Sequence, residues 1–281
     1  MSDKKEVYEE SELYRIRHST AHIMAQAVLE QFPDGKVAIG PAIDDGFYYD
    51  FDLPRPLTPE DLEKIERRMR SIIQSRVRFE RRVVSAEEAR QIFHDQPYKL
   101  ELISGLEEGK LDEDGNPVTE KPEISIYAHE GFVDLCRGPH VEVSSQINPA
   151  AVKLLSVAGA YWRGDERRPM LQRIYGTAWN NPQELKDYLW RIEEAKKRDH
   201  RKIGHDLDLF SSVDEIGAGL ILWHPKGAKV RKLVENFWSE EHEKSGYDFV
   251  YTPHIGKSQL WETSGHLGFY KENMYSPIDI E

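Results

Sequence analysis

The sequence predicts an α+β fold in two parts, on three observations. Apolar residues recur at helical spacing over 16–31, 58–73 and 182–195. Short β-prone runs, separated by turn residues, lie at 36–39, 47–51, 124–128 and 132–136. A cationic stretch near 196–206 then divides the chain, giving domains 1–195 and 207–281 joined by a linker at 196–206. The 281 residues, 39% hydrophobic and 31% charged, suit two modest soluble domains.

In order along the chain, residues 16–31 read as a helix striped by Ala21, Met24, Ala25, Val28 and Leu29, stopped at Phe32-Pro33-Asp34-Gly35. Strands at 36–39 and 47–51 flank a turn at 41–46. Thr58 followed by Pro59 marks a helix start, and Leu62, Ile65, Met69, Ile72 and Ile73 form its stripe. Ser85-Ala86-Glu87-Glu88 has the spacing of a capping box and opens a shorter helix. The segment from Glu107 to Pro122, rich in Gly, Pro and Asp, is expected to be a surface loop. Strands at 124–128 and 132–136 lead to Gly138-Pro139, where the chain must turn. A helix opening at Asn181-Pro182 carries Leu185, Leu189, Ile192 and Ala195. In the second part, Lys226 to Ser245 is expected to be a helix with Val230, Leu233, Val234, Phe237 and Trp238 inward. Asp248 to Pro253 is expected to be an edge strand, because Pro cannot donate to a ladder.

Composition narrows the chemistry. No apolar run approaches the roughly 18 residues of a membrane span, and the first residues lack the apolar core of a signal peptide, so a cytoplasmic setting is expected. The single cysteine, Cys136, fits a reducing compartment. With 38 Lys and Arg against 50 Asp and Glu, the net charge of −12 disfavours indiscriminate polyanion binding. Any nucleic-acid contact must be local. Candidates are Lys64 to Arg82, the run from Lys196 to Lys202 that includes Lys197 and Arg198, and Tyr161-Trp162-Arg163, where a ring could stack on a base and Arg163 could meet a phosphate. No glycine-rich nucleotide fingerprint occurs.

His18 and His22 are four apart on the first helix, so both imidazoles leave one face. A zinc protease is disfavoured, since Ser19 stands where its general base would be. Asp134 and Cys136 alternate onto one face of a strand end, with His140 four residues beyond Cys136. Two readings stay open. The three imidazoles and the thiol form a set zinc accepts, or a histidine activates water while Asp134 orients it and Cys136 lines the wall.

Taken together, several segments resemble the threonyl-tRNA synthetase family of class II aminoacyl-tRNA synthetases. They are Arg17-His18-Ser19-Thr20-Ala21-His22, Ala38-Ile39-Gly40-Pro41 with Gly46-Phe47-Tyr48-Tyr49-Asp50, Asp134 to His140, Gly159 to Asp165, Gln172 to Ala178, and Arg198 to Gly204. The resemblance implies a two-layer editing domain with an antiparallel sheet and long helices. A linker helix and the beginning of a class II antiparallel-sheet domain follow, with a first motif over Lys226 to Pro253 that builds a homodimer.

The resemblance further implies hydrolysis of mischarged seryl-tRNA(Thr) by this domain. His18 and Lys99 would activate or orient water, Asp134 would fix the serine amino group or Lys99, and His22, Cys136 and His140 would shape the pocket. Zinc on His18, His22, Cys136 and His140 is a weaker expectation, because the family's editing site is thought to work without it. In the complete protein the partners would be tRNA(Thr), threonine and ATP, with Mg and a synthetic-site zinc, whose binding residues lie beyond residue 281. The chain thus reads as a fragment from which aminoacylation alone is not expected. A free-standing seryl-tRNA(Thr) deacylase and a non-catalytic tRNA-binding paralogue are the alternatives.

Overall fold

The computed structural model describes residues 8–109, 123–217 and 219–279. They divide into two compact units, Met1–Lys196 and Lys197–Glu281.

The first unit opens with α1 (Glu12–Gln31), begun four residues before the expected start at residue 16 because the Ser11 side chain accepts the Tyr14 N–H. Its middle, from Ile16 to Val28, is buried all round. A helix so placed must find partners for its polar residues. Arg17 illustrates this: Nε donates to the Ala178 carbonyl at 3.2 Å, Nη1 to Tyr8 Oη at 2.8 Å, and the guanidinium lies over the Trp179 ring. Next come β1 (Lys36–Val37), β2 (Ala42–Ile43) and β3 (Gly46–Asp52). Most of the turn expected at 41–46 is a tight hairpin, β2 pairing antiparallel with β3.

The second helix, α2 (Pro59–Gln74), starts on the reciprocal Thr58–Asp61 capping box. Its stripe of Ile65, Met69, Ile72 and Ile73 is buried, each side chain contributing about 1.5–3 kcal/mol of hydrophobic stabilisation. Then follow β4 (Glu80–Val83), α3 (Ala86–Ile92), α4 (Pro97–Glu108), β5 (Ser125–His129), β6 (Phe132–Leu135), β7 (Val152–Tyr161), β8 (Met170–Ala178) and α5 (Pro182–Lys197). A five-stranded antiparallel sheet runs β1-β3-β8-β7, with β2 beside β3, and a three-stranded antiparallel sheet runs β4-β5-β6. Helices α1 and α2 share one core with β3 and β8, while α4 shares a second with β5 and β6.

Four elements lack a sequence signal, each for a reason. All four residues of β4 are exposed and three are charged, so it has no apolar alternation. A bulge between Leu154 and Ser156 breaks the alternation of β7. Its partner β8 has Gly176 in place of a packing side chain. Helix α4 opens on Pro97 without a side-chain cap. It also claims Glu107 and Glu108 from the expected loop, of which residues 110–122 lie outside the described residues.

The second unit holds α6 (His200–Asp206), the antiparallel pair β9 (Phe210–Ser211) and β10 (Leu222–Trp223), α7 (Pro225–Lys244), α8 (Gln259–Thr263) and α9 (His266–Phe269). Two expectations are corrected here. The stripe of α7 is not inward: Leu233 is 65% exposed and Phe237 67%, and Val230, Val234 and Trp238 are exposed with them. Periodicity marks the face that needs covering but does not supply a cover. Residues 248–253 form no strand, because a strand requires a ladder partner and none pairs with them among the described residues. No described helix is long and apolar enough to cross a membrane.

Candidate active site

The site assembles from three chain segments and a sheet strand of the first unit. One turn of α1 presents His18, Ser19 and His22. The end of β6 and the turn after it bring Asp134, Cys136 and His140, the turn passing through Gly138 at φ 84°, a backbone conformation that favours glycine. The first turn of α4 inserts Lys99, and β3 turns Tyr49 inward.

Asp134 is the hub. Its Oδ1 accepts from Lys99 Nζ at 2.6 Å and from the Leu135 N–H at 2.8 Å. Its Oδ2 accepts from Tyr49 Oη at 2.5 Å, and His22 Nε2 lies 3.4 Å away. A carboxylate has about four acceptor positions, and three of this one, 1% exposed, are taken by Lys99, the Leu135 N–H and Tyr49. Lys99 is 2% exposed. The pair is thus removed from water, and its stability depends on these added hydrogen bonds as well as on the charge attraction.

A second knot lies beside it. Cys136 Sγ is 3.3 Å from both His18 Nε2 and His140 Nε2, and accepts the Gly138 N–H at 3.2 Å. His140 Nδ1 is 3.0 Å from Ser19 Oγ, which also accepts the Val141 N–H at 3.0 Å. The rings of His18 and His22 stand 4.2 and 4.3 Å from that of His140. One ligand atom from each of His18, His22, Cys136 and His140 lies within 4.8 Å of the others, so the four form a buried cluster that could hold a metal ion.

Burial sets the protonation. It lowers His18 to about 4, aided by the nearby charges of Arg137 and Lys99 and opposed by the Pro139 backbone. It likewise pushes His22 and His140 well below the usual histidine range, each helped by its histidine neighbours. Burial and the Asp134 charge raise Tyr49 well above 10, keeping it a hydrogen-bond donor. The site at neutral pH is therefore a set of neutral imidazoles around a buried ammonium–carboxylate pair. Beside them opens a cleft lined by Tyr14, His18, Ile39, Gly40, Lys99 and Arg137, among others.

The structure brings together His18, His22, Lys99, Asp134, Cys136 and His140. Arg163 instead lines a second cleft with Tyr161, Asp50 and Arg173, and its Nε lies 3.1 Å from Glu101. Trp162 is 2% exposed and donates to Glu101, so its ring offers no stacking face; the exposed ring there is Tyr161. Lys197 and Arg198 fall in the second unit. Most arginines between 64 and 82 have carboxylate partners, as in Arg68–Glu30 and Arg70–Glu66, which reduces that stretch as a polyanion surface. Sequence reasoning missed Tyr49 and Ser19. The alternation in Phe47-Tyr48-Tyr49 shows which tyrosine points inward, but nothing local shows that it meets Asp134.

A family profile described as the threonyl and alanyl tRNA synthetase second additional domain matches residues 124–175, which include Asp134, Cys136 and His140. Among curated relatives, the threonine–tRNA ligase of Dehalococcoides mccartyi is 58% identical over 271 residues, 96% of this chain and 44% of the relative. That of Borreliella burgdorferi is 54% identical over 277 residues, 99% of this chain and 46% of the relative. That of Borrelia hermsii is 54% identical over 281 residues, 100% of this chain and 46% of the relative. The chain thus spans a little under half the length of the relatives it matches.

Proposed function

From the premise that this chain belongs to the threonyl-tRNA synthetase family, we propose that its first unit hydrolyses mischarged seryl-tRNA(Thr). The carrying observation is that neutral His18 shares one cleft with the buried Lys99–Asp134 pair. Such a site has a base for water beside a fixed positive charge for the oxyanion that forms at the ester carbonyl. His18 takes the proton of the attacking water. Lys99, held by Asp134 Oδ1, orients that water and opposes the developing negative charge. Tyr49 and His22 hold Asp134, while Cys136 and His140 shape the wall. A second hydrolytic sieve is chemically necessary for threonine, because serine differs by one methyl, a difference worth only about 1–3 kcal/mol in a binding pocket.

Zinc has no step in this mechanism. His18, His22, Cys136 and His140 are the residues that could hold a metal ion there.

In the complete ligase this domain would serve ATP-dependent attachment of threonine to tRNA(Thr) in the cytoplasm, with Mg and zinc at a separate synthetic site and a homodimer formed through α7. The relatives match nearly the whole chain, second unit included, which favours a ligase portion over a free-standing deacylase.

The test is deacylation by the purified chain. Seryl-tRNA(Thr) is hydrolysed and threonyl-tRNA(Thr) is spared. His18→Ala or Lys99→Ala lowers the rate by a factor on the order of 10²–10⁴, and a chelator leaves it unchanged. Equal hydrolysis of both esters, or none by a folded sample, defeats the reading.

A further inference from the structure

The second unit holds its own group of reactive side chains, which the hydrolysis of seryl-tRNA(Thr) does not use. Asp208 follows α6, Ser211 ends β9, and His224 stands between β10 and α7, so the β9–β10 hairpin brings the three together. His224 Nδ1 is 2.6 Å from Asp208 Oδ1, and Nε2 of the same ring is 2.8 Å from Ser211 Oγ. Donor inventory fixes the roles. An ionised carboxylate only accepts, so Nδ1 carries the proton and donates to Asp208, and in the neutral ring the Nε2 lone pair accepts the Ser211 hydroxyl proton. Carboxylate, imidazole and hydroxyl in that order are how an oriented base activates a serine.

Two further observations belong to the same group. Asp208 sits at φ 54°, a left-handed conformation that is uncommon outside glycine and concentrates at reacting sites. Helix α7 begins at Pro225, directly after His224, and no side chain caps its first turn among the described residues. The positive end of a 20-residue helix therefore lies beside the imidazole, where it opposes negative charge developing on an acyl oxygen. Leu222, paired with Ser211 across the hairpin, is exposed and gives an apolar neighbour to an acyl group.

We propose that Ser211 is a nucleophile activated by His224 and that the second unit hydrolyses short apolar acyl esters through it. Ser211 Oγ bonds to the ester carbonyl carbon while its proton passes to His224 Nε2 and the carbonyl π pair moves to oxygen. When the double bond re-forms, the ester C–O bond breaks and the alcohol leaves with the proton from Nε2. Water repeats both steps on acyl-Ser211, releasing the acid and restoring the hydroxyl. Asp208 is a positioning residue, holding the imidazole in this tautomer.

The test treats the whole chain with a fluorophosphonate, in which a bond from serine oxygen to phosphorus forms as the P–F bond breaks and the hydroxyl proton leaves with fluoride. One label is expected, on Ser211 by peptide mass, and none on the chain unfolded in urea. Turnover is read with p-nitrophenyl acetate. Ser211→Ala and His224→Ala lower it at least about tenfold, and Asp208→Asn lowers kcat by a similar factor with KM unchanged. No label on the folded chain, equal labelling of other serines, or parent-like turnover in Ser211→Ala overturns the proposal. Turnover that falls in His18→Ala but not in Ser211→Ala belongs to the first unit and overturns it as well.

Discussion

His129 shows how much one buried side chain can couple this fold to pH. It is 3% exposed, its ring lies against Phe79 at 4.5 Å and Phe132 at 5.3 Å, and neither ring nitrogen has a hydrogen-bond partner among the described residues. Burial lowers its pKa to about 4. The unfolded chain takes up the proton near 6.5 and the folded chain only near 4, so the folded state binds fewer protons in between. Stability is therefore full above about pH 6.5 and falls as pH drops towards 4, by about 3 kcal/mol for this residue alone. His129→Phe should flatten that acid dependence in urea unfolding at pH 7 and pH 5, and should cost little at pH 7 because two unpartnered polar atoms leave the core. An unchanged acid slope would remove His129 from the cause. His18 follows the same logic in the cleft, which keeps its lone pair available well below neutral pH. The sequence marks His18, His22 and His140 as candidates by spacing, but it cannot show that all three are neutral, since that depends on which atoms surround them.

At the scale of elements, the site depends on how closely the backbone before β2 approaches β3. Gly40 lines the cleft, and a Cβ there would fall 2.0 Å from the Tyr49 ring. That ring carries the hydroxyl that holds Asp134. Gly40→Ala should displace Tyr49, loosen Asp134 and lower seryl-tRNA(Thr) hydrolysis at least tenfold. Full hydrolytic activity in that variant would separate Tyr49 from the mechanism. The helices that carry the site differ in how far local sequence specifies them. The start of α2 is readable residue by residue, since Thr58, Pro59 and Asp61 satisfy its first turn locally. Helix α4 and strands β4 and β7 are not readable, because exposed charge, a bulge and a missing cap erase the pattern. Lys99 sits on α4, so periodicity alone could not nominate it.

At the scale of the molecule, the two units are built differently. The first buries two contiguous hydrophobic clusters and holds the site. The second carries α7 with Leu233, Val234, Phe237 and Trp238 on its surface. An apolar stripe of that length is a surface in need of a partner. On the proposed homodimer, sedimentation of the chain should be concentration-dependent, and Phe237→Glu should make it monomeric without altering hydrolysis of seryl-tRNA(Thr) by the first unit. A monomer at all concentrations would disconnect the stripe from self-association.

The sequence by itself determined the α1 and α2 stripes, the caps at Thr58 and Ser85, the β5–β6 hairpin, and the relationship to threonine–tRNA ligases. All of these are set by neighbours within a few residues or by linear identity. Only the tertiary structure decided that Tyr49, Lys99 and Asp134 meet, that Trp162 is covered and that the α7 stripe is bare. Those outcomes depend on groups tens of residues apart competing for the same buried space, where desolvation rather than local pattern sets charge and contact.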